Sequence, residues 1–175
     1  MIKFHKVSYN QFKKEVLSYP LEIEEDLIKE IYDNLKPPKR ATKGSAGYDF
    51  FAPFAFELSA GQTISFPTGF SVEMDDDKVL LLFPRSGLGF KYRLQLDNTI
   101  GVIDADYYGN ETNGGHIGAK LTNDSKSQRK VKVHCGEAYM QGVFVQFFKT
   151  DDDDTDGERH GGFGSTTCLN PKNQA

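Results

Sequence analysis

The chain has 175 residues and a formal net charge of −4. This length indicates one domain with a hydrophobic core, and the mild acidity argues against duplex nucleic acid, whose binders usually carry a basic surface. Two cysteines, Cys135 and Cys168, are too few for a disulfide framework or a four-cysteine zinc site, so we expect free thiols. The sequence shows neither the ~18-residue apolar stretch of a membrane span nor a secretion signal, which predicts a cytoplasmic protein (host cytoplasm if viral) with no membrane or nucleic-acid partner.

Residues 1–38 are predicted to form an N-terminal helical extension. A first helix over residues 8–17 would turn Phe12, Val16 and Leu17 inward. A second helix, between Pro20 and the Pro37-Pro38 pair, would align five apolar side chains on one face: Leu27, Ile28, Ile31, Tyr32 and Leu35. An accessory hairpin packed on the main domain is the simpler interpretation, and a partner-binding arm is the alternative.

Residues 39–149 are predicted to form an all-β domain. Short apolar segments end at glycine or charged turns, and residues 79–83 form a continuous apolar run typical of a buried strand. The predicted strands span residues 54–58, 63–66, 70–73, 79–83, 94–96, 99–103, 115–121, 130–134 and 138–148. So many short strands indicate a sandwich, a jelly roll or a closed barrel.

Residues 150–175 are predicted to form a flexible C-terminal tail, a mobile arm. Its first part, 151–157, is charged and turn-prone, which a solvated linker explains better than a metal site. Residues 159–166 then surround one aromatic ring with glycines, one arginine and small hydroxyl side chains. A tethered segment of this composition indicates a lid over a binding site.

Two polar segments of the β region stand out, one that presents a carboxylate and one suited to phosphate. Asp49 follows the glycine turn Ser45-Ala46-Gly47-Tyr48, and residues 84–89 read Pro-Arg-Ser-Gly-Leu-Gly directly after the buried strand. Glycines let backbone N–H groups converge there, while Arg85 and Ser86 add a cation and a hydroxyl, a combination suited to phosphate oxygens. An ordinary turn is the alternative.

A third segment places carboxylates at the end of an apolar strand. Residues 98–109 run from Asn98 through Gly101 to Asp104, Asp106 and Tyr107. A carboxylate at the edge of a dry pocket could hold and polarise a water molecule. The alternative is that Asp104 or Asp106 opens an Asx turn.

In this order and spacing, the segments resemble the five motifs of the trimeric dUTPase family. The matches cover residues 46–49, 84–89 and 101–109, with a partial match at 136–141 and a fifth at 161–166. The resemblance implies a jelly-roll β domain that forms a homotrimer, with each active site shared between subunits. It also implies hydrolysis of dUTP to dUMP and pyrophosphate with Mg²⁺, which limits uracil incorporation into DNA and supplies dUMP for thymidylate synthesis.

The resemblance implies a role for each motif residue at the phosphates. Asp104 would deprotonate the water that attacks the α-phosphorus, and Asp49 would hold Mg²⁺ through water. Ser86 and the Gly87 backbone would donate to phosphate oxygens. Arg85 would add positive charge or form an ion pair between subunits, and Gln141 would contact a phosphate.

For the nucleoside, the resemblance implies that Asn98 and the backbone up to Gly101 match the uracil edge, while Tyr107 packs on the deoxyribose. In the tail, Phe163 would lie over the uracil, and four further residues complete the substrate contacts: Arg159, Gly164, Ser165 and Thr166. Arg159, Ser165 and Thr166 would clasp the γ-phosphate.

Three departures from the family pattern and two alternative functions remain. Residues 138–140 read Ala-Tyr-Met where the family has Arg-Ile-Ala, Arg159 stands four rather than five positions before Phe163, and residues 110–114 look like an insertion. A dCTP deaminase would carry a catalytic glutamate where this chain has Lys120. A nucleotide-binding regulatory module with little turnover would retain the fold, with the extension and the insertion as partner surfaces.

Overall fold

The computed structural model describes residues 1–157, 159 and 161–162 of the chain. Strands dominate it. They are β1 (Ile2–Lys6), β2 (Lys39–Arg40), β3 (Tyr48–Phe51), β4 (Phe56–Leu58), β5 (Thr63–Pro67), β6 (Phe70–Met74), β7 (Lys78–Pro84), β8 (Leu94–Leu96), β9 (Gly101–Asp104), β10 (Gly118–Asn123), β11 (Val131–Val133) and β12 (Ala138–Gln146). The helices are α1 (Tyr9–Ser18), α2 (Glu25–Asp33), α3 (Ser86–Tyr92) and a 3₁₀ turn over Ala105–Tyr107.

The strands form four small sheets. The largest has the order β2-β3-β12-β7-β9, and a second has the order β5-β10-β8. Two-stranded pairs join β1 to β6 and β4 to β11. Every strand pair in the described residues is antiparallel. The structure therefore confirms the all-β class predicted from the short apolar segments.

One large apolar core fills the space between the sheets. Phe50 from β3, Phe66 from β5, Leu80 from β7 and Tyr139 from β12 are all at most 1% exposed. Gly142 lies among them, because a Cβ atom at this position would stand 2.7 Å from Leu80 Cδ1. The strands can approach this closely only because β12 has no side chain there.

Most predicted strands are present, and the differences have local causes. The strand predicted over residues 99–103 begins at Gly101, because Thr99 adopts a left-handed φ of 63° in the preceding turn. The strand predicted over 115–121 begins at Gly118, after Gly114 and Gly115 with positive φ. Three further strands, β1, β2 and β3, were not predicted.

The N-terminal extension packs on the main body, as its simpler interpretation predicted. Strand β1 pairs with β6, and the Ser8 hydroxyl caps α1 by accepting from the Gln11 N–H at 3.2 Å. Phe12 and Val16 are buried, but Leu17 is 53% exposed, so its predicted inward orientation is wrong. Phe12 and Val16 are four residues apart and define the buried face, and Leu17 lies one position beyond it.

Helix α2 shows the same deviation from its predicted face. Ile28 is fully buried, whereas Leu27 is 47% exposed. The helix ends at Asp33, capped by Asn34, before the Pro37-Pro38 pair that was predicted to stop it. No helix in the described part of the chain is long and apolar enough to cross a membrane.

Candidate active site

Asp49, Arg85, Ser86, Gly87 and Gln141 lie close together and are called the Arg85 cluster here. Asp49 is 9% exposed on β3, and an Arg85 Nη atom lies 3.3 Å from its carboxylate. Gln141 on β12 stands opposite Asp49 across the strand pair. The fold thus joins three motifs that are far apart in sequence.

A glycine makes this close approach possible. A Cβ atom at Gly47 would stand only 2.7 Å from the Gln141 side-chain oxygen. The Gln141 amide can therefore lie against the first motif only because residue 47 has no side chain.

Ser86 and Gly87 form the first turn of a helix, α3, where the sequence indicated a glycine-rich turn suited to phosphate, with an ordinary turn as the alternative. The first N–H groups to bond within this turn are those of Leu88 and Gly89, which both donate to the Arg85 carbonyl. The N–H groups of Ser86 and Gly87 therefore precede the helical bonding pattern. They line an open cavity of about 390 Å³ together with Arg85, Lys91 and Lys132 among others, a setting suited to an anion.

A second cavity, of about 520 Å³, lies at the turn between β8 and β9 and is called the hairpin pocket. Its lining comes from residues 96–98 and 100–103, from the start of β10, and from Tyr19, Ser65 and Leu82. Asn98 and Gly101, which the resemblance assigns to the uracil edge, both belong to it. A Cβ atom at Gly101 would stand 3.0 Å from Leu82 Cβ, so the glycine lets β9 lie close to β7.

Asp104 ends β9 beside this pocket and forms an ion pair with the arm. An Arg159 Nη–H donates to the Asp104 carboxylate at 2.6 Å, and its Nε–H donates to Asp106 at 2.8 Å. Burial raises the pKa of the Asp104 carboxyl, an effect that the Arg159 charge opposes and the Asp106 charge reinforces. The Asp104 side chain makes no capping hydrogen bond to the following turn, which does not favour the Asx-turn alternative.

Tyr107 is 4% exposed and is held by the inserted segment 110–114. Its hydroxyl donates to the His116 carbonyl at 3.2 Å and accepts from the Asn113 side-chain amide at 2.9 Å. Asn110 donates to the Tyr107 carbonyl at 2.8 Å. Burial raises the pKa of the Tyr107 hydroxyl, so this group is neutral, and its two hydrogen bonds hold the ring. The Arg159 guanidinium lies 5.8 Å from the centre of this ring.

The predicted residues fall into two separate places in the described part of the chain. Arg85, Ser86 and Gly87 line one cavity, Asn98 and Gly101 line the hairpin pocket, and the two cavities share no lining residue. Arg159 contacts Asp104 and Asp106. Four predicted tail residues lie outside the described residues: Phe163, Gly164, Ser165 and Thr166.

Two residues of this region were not predicted. Tyr19 reaches the hairpin pocket from the extension, and nothing in the local sequence indicates that contact. Asn113 contacts the Tyr107 hydroxyl. It belongs to the insertion 110–114, which directly follows the third motif and must therefore pack near the site, so the sequence did contain a signal for it.

The all-β domain combines a cationic cavity, an apolar pocket and a carboxylate at the edge of that pocket. These three features suit the binding and hydrolysis of a nucleotide. A family model for dUTPase matches residues 33–167. The chain belongs to the dUTPase family, and its enzyme class is dUTP diphosphatase.

The individual relatives agree with this family. The deoxyuridine 5'-triphosphate nucleotidohydrolase of Lactococcus lactis is 40% identical over 131 residues, which are 74% of this chain and 86% of the relative. The enzyme of the same name from Desulfitobacterium hafniense is 38% identical over 139 residues, 75% of this chain and 87% of the relative.

Solved structures support the fold. The dUTPase of Streptococcus mutans shares 43% identity and a TM-score of 0.59, over 68% of this chain and 91% of that one. The dUTPase of phage phi11 of Staphylococcus aureus has a TM-score of 0.60 at 20% identity, over 90% of this chain and 97% of that one, and indicates the fold alone. The predicted jelly-roll class with an N-terminal helical extension is confirmed.

Proposed function

We propose that this chain hydrolyses dUTP to dUMP and pyrophosphate, with the nucleoside in the hairpin pocket and Asp104 as general base. The position of Asp104 carries the proposal, because its carboxylate directly follows residues 101–103, which line the pocket. Burial raises its pKa and so brings the base closer to neutral pH, where proton abstraction is most effective. Asp104 would take a proton from the water that attacks the α-phosphorus.

The Arg85 cluster is proposed to bind the phosphates. The Ser86 hydroxyl and the Gly87 N–H would donate to phosphate oxygens and stabilise the charge that develops as pyrophosphate leaves. Arg85 is 43% exposed at its side chain, so one part of the guanidinium can pair with Asp49 while another faces an anion. Gln141 would add a neutral donor from β12.

Asp49 is proposed to hold Mg²⁺ through water. The described residues contain no group of three His, Cys, Asp or Glu side chains that could hold a metal ion. A single carboxylate that acts through water fits Mg²⁺, because this ion keeps several of its waters and relies on substrate phosphates. Mg²⁺, when bound, would neutralise phosphate charge. One phage phi11 dUTPase structure is described as coordinating a structural Mg(II) ion in that protein.

The separation of the two cavities supports a homotrimer with shared sites. Within one chain, the Arg85 cluster and the hairpin pocket share no lining residue, so a second subunit is proposed to bring them together. Apolar side chains around the edge strand β9 and at the end of β12 are also exposed, as expected of an interface: Ile100, Val102, Val145, Phe147 and Phe148.

Subunit mixing tests the shared site. Asp104→Asn and Arg85→Ala should each be nearly inactive as homotrimers. If one subunit supplies the Arg85 cluster and its neighbour supplies Asp104, trimers reassembled from equal amounts should regain roughly a quarter of wild-type activity by random assortment. No recovery, with mixed trimers verified by mass spectrometry, would show that each chain builds its own site.

The arm is proposed to close over the substrate. Arg159 would leave the two carboxylates for the γ-phosphate, where Ser165 and Thr166 also bind, and Phe163 and Gly164 would cover the uracil. Deleting residues 158–175 should leave a folded trimer with little activity. Full activity in that truncated protein would refute the role of the arm.

A nucleotide panel tests the reaction itself. The protein is incubated with Mg²⁺ and dUTP, dCTP, dTTP or UTP, and pyrophosphate and ammonia are both measured. We expect pyrophosphate from dUTP alone, and ammonia from dCTP would instead establish a deaminase. In the cytoplasm this reaction would limit uracil incorporation into DNA and supply dUMP for thymidylate synthesis.

A further inference from the structure

We propose that Tyr19, in the N-terminal extension, is a specificity-determining residue of the nucleoside site. Its side chain lines the hairpin pocket together with Asn98 and Gly101. The inference rests on the proposed binding of the nucleoside in that pocket. It gives the extension a role in substrate selection and makes residues outside the five motifs part of the site.

The backbone holds Tyr19 firmly at the end of α1. Its N–H donates to the carbonyls of Glu15 and Val16, at 3.2 and 3.3 Å, and its carbonyl accepts from the Leu21 N–H at 2.8 Å. These bonds fix the backbone on both sides of the residue, so the direction of its side chain follows the position of the helix.

Helix α1 is itself anchored to the segment that enters β10. Phe12 is fully buried, and its ring centre lies 6.2 Å from that of His116. The His116 Nε2 atom accepts from the Gly69 N–H at 2.8 Å, so in the neutral ring the proton is on Nδ1. A carboxylate oxygen of Glu15 lies 3.0 Å from this Nδ1 atom. Because β10 begins two residues after His116, α1 and this wall of the pocket are held together.

The surroundings of Tyr19 point to the nucleoside rather than the phosphates. Burial raises the pKa of its hydroxyl, and nearby Glu15 and Tyr107 raise it further. The side chain is therefore neutral and close to Tyr107, the residue proposed to pack on deoxyribose. Tyr19 borders the hairpin pocket and is absent from the lining of the cavity at Arg85.

A rigid aromatic wall limits the size of the base and sugar that the pocket accepts. The cavity of about 520 Å³ is of ordinary size for a small-molecule site. One extra methyl group in such a pocket is discriminated by about 10- to 200-fold. Removing the Tyr19 ring would leave room for the 5-methyl group of thymine and would take away a contact surface for uracil.

Substitution at Tyr19 tests this inference through KM and selectivity. We expect Tyr19→Ala to raise KM for dUTP by about tenfold or more while kcat stays within about threefold, because a ground-state contact is lost. The ratio of kcat/KM for dUTP over dTTP should fall by about tenfold or more. Tyr19→Phe keeps the ring and should stay within about threefold of wild type in both quantities.

Two controls separate the possible outcomes. Leu17→Ala changes an exposed residue of the same helix and should leave KM and selectivity unchanged. Asn98→Ala changes another lining residue of the pocket and should raise KM. If Asn98→Ala raises KM and Tyr19→Ala changes neither KM nor selectivity, the role of Tyr19 is refuted. If neither substitution changes KM, the nucleoside lies elsewhere and the proposed placement of the substrate fails as well.

A folding defect is recognised independently. Each variant is compared with wild type for trimer mass and thermal midpoint. Should Tyr19→Ala not fold, Tyr19→Leu provides a smaller loss of ring surface, and an unchanged KM and selectivity in that folded variant would overturn the inference.

Discussion

Asp104 and Asp106 offer a matched pair of substitutions that separates base catalysis from charge pairing. Both carboxylates accept from Arg159, at 2.6 and 2.8 Å, and their side chains are similarly exposed, at 49% and 56%. Asp104→Asn and Asp106→Asn each remove one negative charge next to the same guanidinium. Only Asp104 is proposed to abstract a proton.

The expected magnitudes differ enough to distinguish the two roles. An ion pair this exposed contributes about 0–1 kcal/mol, which corresponds to about a fivefold change in rate at most. General-base catalysis contributes about 10²- to 10⁴-fold. We therefore expect kcat to fall by about 10²- to 10⁴-fold in Asp104→Asn and by no more than about fivefold in Asp106→Asn.

The assay is pyrophosphate release from saturating dUTP with Mg²⁺, together with titration of an α,β-imido analogue of dUTP that resists cleavage. Asp104→Asn should bind the analogue within about tenfold of wild type, because the amide retains the shape of the carboxylate. Near-normal turnover in Asp104→Asn, or equal losses in the two variants, would refute the role of Asp104 as base.

Three further predictions follow from individual contacts. Asp104 must be ionised to act and burial raises its pKa, so kcat/KM should fall with decreasing pH at a midpoint above the pKa of an ordinary aspartate. Arg159→Gln removes the charge that lowers the Asp104 pKa and should therefore move this midpoint to higher pH. A midpoint that does not move would contradict the contact. Gly142→Ala should lower the free energy of unfolding by about 1–3 kcal/mol, measured by urea titration, because the new methyl group meets Leu80. An unchanged urea midpoint would show that neighbouring side chains rearrange to accept the methyl group. Phe12→Ala should cost about 3–5 kcal/mol, against about 0.5 kcal/mol or less for exposed Leu17→Ala, and equal costs would mean that α1 is not anchored as described.

The sequence predicted the elements whose pattern is local. The apolar run over residues 79–83 became part of β7, and the segment 94–96 became β8 without change. The periodic segment 8–17 became α1, shifted by one residue. In each case the repeat of apolar side chains has the same period as the element that forms.

Features set by distant contacts could not be predicted in the same way. β3 follows a glycine turn and owes its strand geometry to β12, about 90 residues later in the chain, which pairs with it. The burial of Ile28 and the exposure of Leu27 depend on which side of α2 meets the main body. Tyr19 reaches the hairpin pocket through the docking of α1, for which a single sequence offers no signal.

The candidate site was predictable as a set of residues but not as an arrangement. Asp49, Arg85 and Gln141 come together as the motif resemblance implied. Arg85, in contrast, lines one cavity, while Asp104 directly follows the residues that line the other. The placement of Arg159 against Asp104 was not predicted either, since the tail composition indicates a lid without specifying what the lid contacts.

The central position of β12 determines when the largest sheet can fold during synthesis. This last strand lies between β3 and β7, so the largest sheet cannot assemble until residue 146 has left the ribosome. Before then, the growing chain presents two apolar strands that lack their shared neighbour, and such unpaired edges favour aggregation. A polypeptide that stops short of residue 138 loses the middle of the sheet rather than its margin, and it has no smaller version of this fold to adopt.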